Sequence, residues 1–109
     1  MAFVKRTFAN VAASQTDSSL VAAVAGTSIK VLAVFAKAGG TATTLTFNTK
    51  PSGAGSAISA SFANGINGDT LLPYNEEGWF ETAVGEGLTC TTGAGSTTGI
   101  QIIYSLRTV

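Results

Sequence analysis

Along SIKVLAVFAK, residues 28–37, apolar side chains occupy both parities of the chain. Ile29, Val31, Ala33 and Phe35 share one, and Leu32, Val34 and Ala36 share the other. Side chains of a strand alternate between faces, so this pattern predicts a strand apolar on both sides. Such a strand is covered twice or buried against a neighbouring subunit, and an oligomer interface is the expectation here. Two other segments alternate cleanly. In ATTLTFNT, Leu45 and Phe47 oppose Thr44, Thr46 and Asn48; in GIQIIYSL, Ile100, Ile102, Tyr104 and Leu106 oppose Gln101, Ile103 and Ser105.

Turn-forming residues interrupt these runs at short intervals: Ala25-Gly26, Gly39-Gly40, Pro51-Ser52-Gly53, Asn64-Gly65, Asn67-Gly68, Asn75 to Gly78, Gly85 and Gly93 to Ser96. They delimit strands near 2–9, 19–25, 28–37, 42–49, 56–62, 69–73, 79–84, 87–92 and 99–107. Only SLVAAVA, 19–25, has helix-forming composition, and Gly26 stops it at once. Eight or nine short strands imply an all-β fold, a two-sheet antiparallel sandwich of jelly-roll-like type. The 109 residues make a single domain, with 1–17 read as an N-terminal strand or arm followed by a polar connector.

Composition shapes the surface of that sandwich. Charged residues are 11% of the chain, far below the ~25% of ordinary soluble domains. Six basic residues balance six acidic ones, and no Lys or Arg cluster exceeds Lys5-Arg6. A nucleic-acid partner is therefore not expected, since nothing is arranged to neutralise phosphates. No apolar run reaches the ~18 residues of a membrane span, and the N-terminal residues do not read as a signal peptide. Synthesis in a cytoplasm is the expectation. A neutral surface with little self-repulsion suits a permanent place in an assembly.

Candidate chemistry is sparse. The chain has no His, which removes the usual nucleophile activator and neutral-pH proton carrier. Cys90, alternating with Leu88, reads as a small buried hydrophobe. Glu76, Glu77, Glu81, Glu86 and Asp69 fall in one third of the chain, but NEEG lacks the spaced oxygens of a calcium loop. GAGSTTG and KPSGAGS lack the phosphate-loop pattern and read as turns. No enzyme, cofactor or metal is expected. Trp79 and Phe80 point to opposite faces of a strand, so one enters the core and the other faces outward. The candidate interface residues are Phe3 and Lys5 in the N-terminal strand, Leu32 and Val34 in the doubly apolar strand, and Trp79 and Glu81.

The order of the pieces then becomes informative. The run from Gln15 to Lys50, then LLPYNEEGWFETAVGEGLT (71–89) and a closing IIYSL (102–106), resembles small structural proteins of tailed bacteriophages. That family's pattern runs through VAAVxGxxIxVL, then TVTF, LPYNxxGWFET and GExLTxxT. The similarity spans roughly Ser14 to Tyr104, and the LPYNxxGWFET…GExLT element is its most specific part. The resemblance implies a virion protein, a capsid decoration (cement) protein with a jelly-roll-like fold. It also implies a homotrimer on the head, with the major capsid protein as partner. The alternative is a head-fibre or tail-associated module that holds host glycan through Trp79, Tyr74 or Asn75.

Overall fold

The alternating segments pair into two antiparallel sheets of five strands each in a computed structural model. It describes residues 3–108 and, for Phe3, the backbone alone. The first sheet contains β1 (Phe3–Val11), β3 (Thr27–Ala38), β7 (Asp69–Leu72), β8 (Phe80–Glu81) and β10 (Thr98–Thr108), in the order β1-β10-β3-β7 with β8 also on β3. The second contains β2 (Ser18–Val21), β4 (Thr43–Lys50), β5 (Ser56–Ala57), β6 (Phe62–Asn64) and β9 (Gly87–Thr92), in the order β2-β9-β4-β5 with β6 also on β4. With β5–β6 and β7–β8 each counted as one interrupted strand, the chain crosses between sheets at nearly every connection, as in a jelly roll.

The inner faces meet in one core. Leu45, Phe47, Leu88 and Cys90 from the second sheet pack against Ile29, Val31, Val34, Ala36, Ile100 and Ile102 from the first. Full burial of such side chains stabilises by about 1.5–3 kcal/mol each. Phe80 enters this core and stacks on Phe47 with ring centroids 5.0 Å apart, while Trp79 stays outside. The opposite-face expectation for that pair therefore holds.

Strand β3 departs from the simple alternation. Its pairing with β10 shifts register: Ile103 partners Ala33, but Tyr104 partners Val31, so Leu32 is an extra residue. One inserted residue reverses every later side chain. Ile29 and Val31 face inward before the bulge, and Val34 and Ala36 after it. Leu32 and Val34 are 3% and 1% exposed, so their assignment as interface residues is corrected: both are covered within the subunit. The exposed face of β3 instead carries Phe35 and Lys37.

The N-terminal segment is a strand of the subunit's own sheet, antiparallel to β10 along its length. The segment read as one strand over 56–62 is two. Between them Ser59 Oγ accepts the Phe47 N–H at 2.9 Å, so a hydroxyl takes the place of a ladder carbonyl. The connector before β2 is anchored by Asp17. Its Oδ1 accepts from Asn48 Nδ2 (3.2 Å) and Thr89 Oγ1 (3.1 Å), and its Oδ2 from Gly55 N (3.0 Å).

Candidate functional site: an assembly surface

Cys90 is fully buried, and desolvation pushes its thiol up to about 12, so it carries no thiolate at neutral pH. Glu81 is engaged inside the subunit: Ser28 Oγ donates to its Oε2, and Arg107 Nη1 lies 3.5 Å from its Oε1. Among the described residues, no three Cys, Asp or Glu side chains gather as metal ligands would. No helix among them is long and apolar enough to cross a membrane.

What the fold does build is a surface. The outward residues of the first sheet form rows across its strands, because cross-strand partners share a face. One row runs Phe8–Gln101–Phe35–Leu71 through β1, β10, β3 and β7. Its apolar members are 74%, 45% and 64% exposed for Phe8, Phe35 and Leu71. The next row toward the start of β1 holds Arg6, Ile103 and Ala33. The row on the other side is polar: Asn10, Gly99, Lys37 and Asp69. Small Ala33 between taller neighbours leaves a trough of about 640 Å³, lined by Arg6, Phe8, Phe35, Leu71 and Tyr74 among others.

The LPYNEEGW element forms one wall of this surface. It leaves the sheet where the edge strand breaks between β7 and β8, opposite the Leu32 bulge. Asn75 N–H donates to the Leu32 carbonyl at 2.9 Å and Trp79 N–H to the Val31 carbonyl at 2.8 Å. Inside the loop, Asn75 Oδ1 accepts from Glu77 N at 3.0 Å and the Asn75 carbonyl from Gly78 N at 2.9 Å. Gly78 sits at φ 83°, and a Cβ there would lie 2.6 Å from Lys30 Cγ, so only glycine fits without movement. Trp79 Nε1 closes the loop on the Pro73 carbonyl at 2.8 Å. The result presents Tyr74, Glu76 and Glu77 to solvent.

No protein-family model matches the chain, and no curated protein matches its sequence.

The sequence-derived interface residues distribute unevenly around this surface. Trp79 braces its wall and is 42% exposed. Lys5 is exposed but lies on the other face of β1 from Arg6 and Phe8. The side chain of Phe3 lies outside the described residues. Phe8, Phe35 and Leu71 are not singled out by the sequence alone. A signal exists for two of them: Phe8 shares its parity with Arg6 and Asn10, and Leu71-Leu72 cannot both face inward.

Proposed function

We propose that this chain is a structural protein of a tailed-phage particle, a capsid decoration (cement) protein on the head surface. It works as a homo-oligomer that contacts the major capsid protein. The observation that carries this reading is the exposed apolar row Phe8–Phe35–Leu71 on the outer face of the first sheet. With Tyr74 it leaves roughly 450 Å² of side-chain surface in water, taking each large aromatic as ~200 Å². Patches of that size on soluble domains commonly mark contact sites. The LLPYNEEGWFETAVGEGLT resemblance supports the phage assignment, and the wall built by that element borders the row.

The mechanism is mechanical. Subunits bury apolar surface against one another and against the shell, bridging neighbouring capsid proteins. Many copies then resist internal pressure together, because multivalent contacts add without each being strong. No bond is made or broken, and no cofactor takes part.

The test uses shells of the encoding phage that lack this protein. Purified chain should bind expanded shells saturably, leave unexpanded ones bare, and raise the temperature at which full heads burst. Absence of binding to either shell would refute the head assignment. Tyr74 and Trp79, both partly exposed on one loop, favour the glycan-binding alternative as second reading. Glycan-array binding abolished by Trp79→Ala would establish it instead.

A further inference from the structure

We infer that copies of this chain dock head to tail across the outer face of the first sheet, the β1 side of one copy against the β7 side of the next. This rests on the self-assembling reading above and names the surface that performs it. Phe8 and Arg6 of one copy meet Leu71, Tyr74 and Glu76 of its neighbour.

Charge identifies the occupant. The outer face of β1 carries Arg6 and no acid, whereas residues 69–77 carry Asp69, Glu76 and Glu77 and no base. Lys37 sits beside Asp69 as its cross-strand partner, so the surplus on the β7 side comes from Glu76 and Glu77. Within one subunit the two sides are separated by the width of four strands, roughly 14 Å at ~4.8 Å per strand. They do not pair there: the single ion pair among the described residues is Glu81–Arg107. A surface with Arg6 on one side and Glu76 and Glu77 on the other is complementary to itself after a rotation. Since the whole chain sums to zero charge, no long-range repulsion opposes the approach of a second copy.

Gln101 decides between a ring and a flat pair. It sits between Phe8 and Phe35 in the exposed row. In a flat two-fold stack its amide would be sealed against the partner's Phe35 ring, and an unpaired buried amide is costly. In a head-to-tail contact the two sides of the row are buried and Gln101 stays near the axis, where water or its symmetry mates can satisfy it. Contacts of this kind use two different patches per subunit and close into a ring when the rotation permits.

The experiment measures mass by light scattering for the intact protein and for Phe8→Glu, Leu71→Glu and a control, Val84→Glu. Val84 is 50% exposed on a remote turn, and none of the three positions is in the core. Circular dichroism establishes that each variant folds. The parent and Val84→Glu should run as one closed oligomer of more than two copies, and Phe8→Glu and Leu71→Glu as single chains. Mixing the last two should restore a two-copy complex, because each retains one intact side. The two introduced carboxylates would face each other across any further contact and block closure. Oligomers that survive both Glu variants would overturn this surface yet leave self-assembly standing. Single copies of the parent would overturn both. Mixed variants that stay single, or a two-copy parent, would overturn the head-to-tail order.

Discussion

Replacing Asp17 with Ala removes a carboxylate that joins three distant parts of the chain. It holds the buried Asn48 on β4, the buried Thr89 on β9 and the Gly55 amide in the 51–55 loop. Asn48 Nδ2 keeps a second acceptor, Thr91 Oγ1 at 2.9 Å. Gly55 is only half-buried and can turn to water. The Thr89 hydroxyl therefore bears most of the loss, and a buried group left unpaired costs about 1–3 kcal/mol. Asp17 also adopts φ 52°, a left-handed conformation that Asp tolerates better than Ala. Together these put Asp17→Ala at about 2–4 kcal/mol of destabilisation. For a domain of this size that lowers Tm by roughly 10–20 °C. Asp17→Asn keeps the backbone preference and one acceptor but turns an NH₂ toward a donor, so it should fall between Ala and the parent. Urea unfolding followed by far-UV circular dichroism, at one fixed chain concentration, measures both. An Asp17→Ala variant within ~0.5 kcal/mol of the parent would refute the reasoning.

Phe47→Ala removes a fully buried ring that stacks on Phe80 and should cost about 3–5 kcal/mol by the same assay. Gly78→Ala meets both a left-handed φ and the Lys30 stem; about 1–3 kcal/mol of lost stability is expected, with faster proteolysis within residues 73–79. Cys90 should resist a thiol reagent at pH 8 in the native protein and react fully in denaturant. Its folded pKa lies above the unfolded value, so the unfolded chain releases the proton first as pH rises. This group's contribution is therefore flat through neutral pH and lowers stability by about 1.4 kcal/mol per pH unit above pH ~9, up to the folded value. A Cys90→Ser variant should lack that alkaline slope.

The strands are legible wherever neighbours in sequence carry the signal. ATTLTFNT and GIQIIYSL alternate without interruption, and the core takes Leu45, Phe47, Ile100 and Ile102 from the expected faces. SIKVLAVFAK is legible as a strand but not in its facing. Its one extra residue, Leu32, is defined only against β10, some seventy positions away, and a single-residue shift exchanges inside for outside. That is why Leu32 and Val34 point toward an interface in the sequence while Phe35 holds the exposed face in the fold. Asp17 is illegible for a related reason: in sequence it is one polar residue in a polar connector, and its partners are 31, 38 and 72 residues distant. Glu81, an interface candidate in the sequence, finds its partners, Ser28 and Arg107, within the same subunit. The exposed row becomes visible only once β1, β10, β3 and β7 lie side by side, since each strand contributes a single residue to it.

On the function proposed above, a chain buried among copies of itself on a phage head should be visible there. A cryo-electron-microscopy reconstruction of the encoding virion tests this most directly. Density for this sandwich is expected on the outer surface of the head, with Phe8 and Leu71 of adjacent copies in contact. Density confined to the tail, or isolated subunits whose Phe8–Leu71 row faces open solvent, would contradict it.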